Sequence, residues 1–321
     1  MSVATPALHV AEVGPEEAEA VHAVIEAGFR DRPVLDPPAP ALAETVGSVA
    51  ARLARSGGLL ARLDGRPVGA LLLDPQGPSL GLRRVAVSPE AQRQGVAAAL
   101  ASAAAETAVR RGARRLHLTA RTELPETVRF WLRMGYRETA RDGTSLTMAR
   151  ELPTEGEVVD GDAMRELGRG LAALLRAGDL LILTGDLGAG KTTLTQGIGA
   201  GLGVRGDVTS PTFVISRVHP SLSGGPALVH ADAYRLGGVA ELDDLDLDVS
   251  VADSVTVVEW GAGLAEGLAD DRLEVAITRT HGDDAPADDP DAAEVRHVTL
   301  TPFGARWVGA DLPEVLAAPV V

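Results

Sequence analysis

The run Gly185-Asp186-Leu187-Gly188-Ala189-Gly190-Lys191-Thr192-Thr193 sets a glycine, four residues and then Gly-Lys-Thr directly behind an apolar stretch, Leu180-Leu181-Ile182-Leu183. That spacing is a P-loop: successive backbone N–H groups turn onto phosphate oxygens, and glycine accepts the required angles with no side chain in the way. A short buried strand feeds the loop, and a helix opening at Lys191 aims its positive end at the same phosphates. Asp186, Leu187, Gly188, Ala189, Gly190, Lys191, Thr192 and Thr193 are therefore the expected nucleotide-binding residues. Lys191 is the only lysine among 30 basic side chains. A chain that uses arginine wherever charge suffices, yet keeps one lysine here, marks a site needing a compact ammonium on a flexible stem. Its expected catalytic part is to offset charge gathering on the phosphates.

Three further polar sets lie at the ends of expected strands, the first before strand 214–218 and the other two closing apolar runs, where an open parallel sheet binds its ligand. Thr209-Ser210-Pro211-Thr212-Phe213 offers hydroxyls in a rigid turn, Leu228-Val229-His230-Ala231-Asp232 ends in an acid, and Val255-Thr256-Val257-Val258-Glu259 reads as a Walker B strand with glutamate as its acid. Magnesium takes hard oxygen ligands and keeps several waters, so the Thr192 hydroxyl, Glu259 and two phosphate oxygens make its expected shell. Asp232 is the expected second carboxylate, holding a metal-bound water or orienting the attacking one. The blander readings are a solvated strand-end acid for Glu259 and a turn cap for Asp232. Tyr234 and Trp260 read as core aromatics. His230 stays open between a place behind the acids and no role, and the acidic run 241–248 reads as a solvated helix face.

A second turn with chemistry lies in Arg83-Arg84-Val85-Ala86-Val87-Ser88-Pro89-Glu90-Ala91-Gln92-Arg93-Gln94-Gly95-Val96-Ala97. Gln-x-x-Gly-x-Ala at a helix N-terminus leaves N–H groups free for a pyrophosphate, and the small residues Gly95 and Ala97 let it approach. His9, His22 and His117 are given no catalytic role.

Two scaffolds are needed to hold these groups. At 321 residues the chain exceeds the ~250 that a single core usually reaches. Residues 1–150 carry 19 basic against 16 acidic side chains, a balance of +3, whereas residues 151–321 carry 11 against 29, a balance of −18. The second half thus lacks the basic stripe with which proteins grip nucleic acid. The lack of cysteine excludes disulfides, thiolate metal sites and a cysteine nucleophile, and fits a cytoplasmic setting. The alanine-rich stretch 96–105 is far shorter than the ~20 apolar residues that span a bilayer, so no membrane is expected.

In residues 1–150 the patterning predicts strand 8–13, a helix started by Pro15-Glu16-Glu17, a proline-rich loop 33–40, helix 41–55, a hairpin through Asp64-Gly65-Arg66-Pro67, strand 80–87 and a long helix to Gly112. Strand 115–120, helix 126–133 and a hairpin through Asp142-Gly143 complete this half. Residues 151–156, punctuated by Pro153 and Gly156 where the charge changes sign, are the expected linker. Residues 157–321 should open with strand 157–159 and helix 163–176 capped by Asp162. Beyond the P-loop come strand 214–218, the strands ending at Asp232 and Glu259, strands 273–278 and 295–301 about a loop 281–294, and a terminal helix in 303–321.

The element order of residues 1–150, with Phe130-Trp131-Leu132-Arg133-Met134-Gly135-Tyr136 on its last helix, resembles the GNAT acetyltransferases. The resemblance implies an α+β acyl-coenzyme A-binding domain with N-acetyltransferase activity. Acetyl-coenzyme A would lie on Val85 and Val87 of the strand edge and on Gln92, Gln94, Gly95 and Ala97 of the turn. Many members place a tyrosine that protonates the departing thiolate where this chain has Trp131, and an indole N–H cannot do that. The rival reading is a degenerate domain used as a scaffold. The set formed by the P-loop, Ser210-Pro211-Thr212-Phe213, His230-Ala231-Asp232-Ala233-Tyr234-Arg235-Leu236 and Glu259-Trp260 resembles TsaE, the ATPase subunit of the bacterial machinery that makes threonylcarbamoyladenosine in tRNA. That resemblance spans about 157–280 and implies an α/β P-loop NTPase domain hydrolysing ATP, with magnesium at Thr192 and Glu259 and catalytic help from Asp232. It further implies work in a complex with the transferase subunit and its paralogous partner; with a balance of −18, tight tRNA binding by the chain alone is not expected. Met164 stands about where members often carry a nucleotide-contacting threonine. A small-molecule kinase is the rival, disfavoured because the arginines are scattered rather than clustered into a lid.

Overall fold

The computed structural model describes residues 7–30, 32, 33, 36, 38, 40–238, 241, 242, 251–279 and 295–317. The chain divides into two units between Leu152 and Pro153. The expected linker 151–156 is corrected by this boundary: Glu151 pairs with Arg115 in the first sheet, and Thr154 already pairs with Leu300 in the second. Backbone pairing on both sides of Pro153 outweighs the local proline and glycine signals.

In the first unit, β1 (Leu8–Val13), β2 (Gly58–Leu63), β3 (Arg66–Gln76), β4 (Ser79–Val87), β5 (Arg115–Arg121), β6 (Arg137–Asp142) and β7 (Ser145–Glu151) form one sheet in the order β1-β2-β3-β4-β5-β7-β6. Successive strand residues face opposite ways. Leu60, Leu72 and Ala86 therefore pack on α1 (Ala18–Arg30) and α2 (Val46–Ser56), while Leu59, Leu71 and Leu82 pack on α3 (Val96–Arg110) and on Trp131 of α4 (Pro125–Arg133). Helix α2 starts at 46 rather than 41 because Thr45 and Ser48 form a reciprocal capping box, with bonds of 2.9 and 3.1 Å.

Two features of β4 open this unit. Arg84 and Val85 together oppose Leu71 of β3, a bulge with Arg84 at φ 55° that bends the strand. The parallel pairing of β4 with β5 ends at Leu82 and Leu118. The two strands part beyond that point and leave a cleft of about 1020 Å³.

In the second unit, β8 (Thr154–Val158), β9 (Leu180–Thr184), β10 (Ser216–His219), β11 (Ala227–Asp232), β12 (Ser254–Glu259), β13 (Arg272–Arg279) and β14 (Arg296–Phe303) form a sheet ordered β10-β11-β12-β9-β13-β14-β8. Strands β11, β12, β9 and β13 run parallel. Being covered on both faces, β9 is apolar from Leu180 to Leu183: Leu181 and Leu183 pack toward α5 (Gly161–Ala172) and α6 (Lys191–Leu202), while Leu180 and Ile182 pack with Val229, Val258 and Ala265. The helices touch backbone to backbone, since a Cβ on Gly197 would lie 2.1 Å from the Arg165 carbonyl oxygen. This approach seats α6 behind the P-loop.

Helix α5 is capped by Asp160, whose carboxylate accepts from the Ala163 N–H at 2.7 Å. Asp162, the expected cap, instead pairs with Arg165 at 2.7 Å. Strand β10 begins at Ser216, because Val214 and Ile215 donate to the Pro211 carbonyl in a turn. The last described element is a short helix, α7 (Leu312–Ala317), after a 3-10 turn at Ala305–Trp307. The expected loop 281–294, part of the loop 33–40 and the acidic run from Asp243 lie outside the described residues. Among the described residues, no helix is long and apolar enough to cross a membrane.

Candidate functional site

Strand β9 ends at Thr184, and the chain turns through Gly185 at φ 142°. A Cβ there would stand 2.3 Å from the Ile277 carbonyl oxygen, so only glycine fits where the loop leaves the sheet. Lys191, 4% exposed, folds back on the loop, its Nζ donating to the carbonyls of Gly185 at 2.7 Å and Asp186 at 2.9 Å. Burial lowers its pKa against the opposing pull of Glu259, Asp232 and Asp186. The ammonium also lies 3.9 Å over the Trp260 ring.

Parallel pairing brings the two expected carboxylates side by side, Asp232 of β11 opposite Glu259 of β12, with Glu259 in turn opposite Leu183 of β9. One Glu259 oxygen, Oε1, accepts from the Thr192 hydroxyl at 2.8 Å and from His230 Nε2 at 2.8 Å. His230 is fully buried. It thus sits directly behind Glu259. Asp232 Oδ2 accepts from the Thr212 hydroxyl at 2.5 Å and Oδ1 from the Tyr234 N–H at 3.0 Å. The Ser210-Pro211-Thr212 turn therefore spends a hydroxyl on holding this acid.

The expectation that Tyr234 and Trp260 are core aromatics is corrected. Tyr234 is 63% exposed, and its ring lies 5.1 Å from that of Trp260. Trp260 adopts φ 60°, an unusual conformation for a bulky residue, while its N–H donates to the Leu183 carbonyl. That turn carries the indole over Lys191. Sequence reasoning also missed Arg279 and Arg296, opposed across β13 and β14, which donate to the P-loop carbonyls of Leu187 at 3.4 Å and Ala189 at 2.9 Å. Their place depends on strand order, for which neither residue carries a local signal. Met164 is buried against Gly190.

In the first unit, Val85, Val87, Gln92 and Ala97 line the cleft. Gly95 caps α3 in the left-handed region, and Gln94 turns its amide to the Glu90 carbonyl at 2.8 Å; neither belongs to the cleft wall. The first N–H groups of α3 lack intrahelical partners by geometry and form its polar end. Trp131, 3% exposed, lines the inner wall and meets the Tyr136 ring edge-on at 4.9 Å. Tyr136 is fully buried, burial pushes its phenol pKa up, and its hydroxyl has no hydrogen-bond partner among the described residues. It is not part of the lining, so among the described residues the cleft wall has no tyrosine to protonate a leaving thiolate.

Comparison with known proteins separates the halves in the same way. Residues 158–285 match the family model described as threonylcarbamoyl adenosine biosynthesis protein TsaE, and residues 22–136 match the acetyltransferase (GNAT) family. The tRNA threonylcarbamoyladenosine biosynthesis protein TsaE of Streptomyces coelicolor is 66% identical over 150 residues, which make up 46% of this chain and 97% of that protein. Its namesake in Mycobacterium leprae is 50% identical over 125 residues, 37% of this chain and 78% of that protein. Among solved structures, an N-acetyltransferase of Thermoplasma acidophilum in complex with coenzyme A is 15% identical, with a TM-score of 0.41, over 45% of this chain and 99% of that one. The first unit has the GNAT fold.

Proposed function

The chain belongs to the TsaE family, and from that premise we propose that its second unit hydrolyses ATP, with magnesium, in the service of threonylcarbamoyladenosine formation in tRNA. The observation that carries the reading is the convergence of Lys191, Thr192, Asp232 and Glu259 at the carboxyl ends of β9, β11 and β12. Backbone N–H groups of residues 186–193 cradle the phosphates. Lys191 exchanges the Gly185 and Asp186 carbonyls for phosphate oxygens. The Thr192 hydroxyl and Glu259 carboxylate, 2.8 Å apart, are the hard oxygen donors that suit magnesium, and they would hold it. When bound, the ion neutralises charge between the phosphates. Asp232, fixed by Thr212 and the Tyr234 N–H, orients the attacking water, whose bond to the γ-phosphorus forms as the bond to the β-phosphate oxygen breaks.

The chain works in the cytoplasm, docked on the transferase subunit and its paralogous partner, and does not bind tRNA tightly alone, since its second unit carries strong negative charge. The first unit binds acyl-coenzyme A, the pyrophosphate on the turn at 92–97 and the arm along the free edge of β4. Turnover of ATP by the full chain, with and without the candidate transferase subunits, tests the central reading. Lys191→Ala is expected to abolish turnover in both settings with the fold intact by circular dichroism. Turnover equal to wild type overturns the ATPase reading.

A further inference from the structure

Four arginines line the cleft of the first unit. Three are neutralised: Arg83 pairs with Asp74 at 3.0 Å, Arg84 with Glu44 at 2.9 Å and Arg121 with Glu123 at 2.7 Å. Arg32 differs. It stands just past the end of α1, partly buried, with its guanidinium 3.8 Å from the centre of the Phe29 ring and Nη2 donating to the Val85 carbonyl at 2.9 Å. Among the described residues, no carboxylate lies within ion-pair distance of it. Burial lowers its pKa to about 10.

Charges buried in proteins are ordinarily paired. A guanidinium also carries five N–H donors in a planar fork, of which the Val85 carbonyl occupies one. The group best matched to the remaining fork is a carboxylate, which accepts two parallel N–H bonds. The position narrows the source. If the pyrophosphate of the coenzyme sits at the start of α3, the arm running back along β4 brings its acyl end to the bulge at Arg84 and Val85, beside Arg32. On that placement the acyl end, rather than a phosphate, faces Arg32.

We propose that Arg32 is a carboxylate-recognising residue of this cleft, so that either the acyl acceptor or the acyl chain itself carries a carboxylate. The inference rests on the acyl-coenzyme A reading of the cleft. Both sources present the same chemistry to the fork, and two titrations of the full chain separate them. In one, succinyl-coenzyme A is compared with acetyl-coenzyme A. In the other, the chain saturated with coenzyme A is titrated with N-acetylglycine and with the neutral N-acetylglycinamide.

The carboxylate probe of one arm is expected to bind roughly ten- to a hundredfold more tightly than its neutral counterpart. That ratio should collapse toward one in Arg32→Gln and be partly kept in Arg32→Lys, which retains the charge without the fork. Preference in the first arm assigns the carboxylate to the acyl chain, and in the second to the acceptor. No preference in either arm, or a preference that survives in Arg32→Gln, overturns the proposal while leaving coenzyme binding in place. Failure of coenzyme A itself to bind overturns both this inference and the reading beneath it.

Discussion

Replacing His230 by leucine removes the donor behind Glu259 while filling most of the buried volume. In the structure Glu259 Oε1 accepts two bonds of 2.8 Å, from Thr192 and His230, and His230 is fully buried beneath it. The bond requires the His230 proton on Nε2, and Nδ1 has no partner among the described residues, so Glu259 is what holds the ring. Loss of a hydrogen bond to a charged acceptor costs about 1.5–3 kcal/mol, and the carboxylate left behind is free to rotate away from Thr192. Removing a residue that orients a metal ligand typically weakens metal affinity about 10- to 100-fold. The expected outcome is thus a stable chain whose nucleotide affinity without magnesium matches wild type and whose gain on adding magnesium is largely lost. His230→Gln, which can place its amide N–H near the position of Nε2, should recover part of that gain. Calorimetric titration with ATP analogues across a magnesium series makes the measurement. A His230→Leu protein with wild-type magnesium dependence would refute the reasoning, provided that Thr192→Ala loses the dependence in the same assay.

Ala97→Glu sets a carboxylate on the cleft wall at the start of α3, and coenzyme A affinity should fall roughly ten- to a hundredfold by calorimetry; it is a cleaner probe than Gly95→Glu, because Gly95 sits at φ 81° and any side chain there adds backbone strain. Gly197→Ala drives a Cβ to 2.1 Å from the Arg165 carbonyl oxygen, so α5 and α6 must separate at a cost of about 1–3 kcal/mol, and a denaturation midpoint equal to wild type would contradict that contact. Burial lowers the pKa of His219 below its ordinary 6.5, so the unfolded chain binds this proton more readily. Its contribution to stability is full above that pH and is lost as pH falls toward the lowered value. The thermal midpoint should accordingly drop less between about pH 7.5 and about pH 5.5 in His219→Leu than in wild type, and parallel pH profiles would show that another group is responsible.

Much of the site is legible in the sequence because its first parts are local. A P-loop lies within nine consecutive residues, and the strand before it and the helix after it follow from short-range patterning. The sole lysine and the hard-oxygen chemistry of Thr192 and Glu259 can be read with no knowledge of strand order. The resemblance to two families and the change of charge sign near residue 150 likewise separate the halves. Register across the sheets is another matter, since hydrophobic alternation says which face a residue takes but not which strand lies beside it. Only the parallel pairing of β11 with β12 sets Asp232 against Glu259 and turns His230 onto the same carboxylate. Only the neighbouring ends of β13 and β14 bring Arg279 and Arg296 to P-loop carbonyls about a hundred residues away in the chain. The same holds for Arg32 on Val85, a contact across 53 positions, and for the stretch about Pro153, where Glu151 and Thr154 belong to strands of two different sheets rather than to a linker. The chemistry of each residue is written in its type, but the company it keeps is set by pairings between distant segments, whose energies depend on the whole assembled sheet.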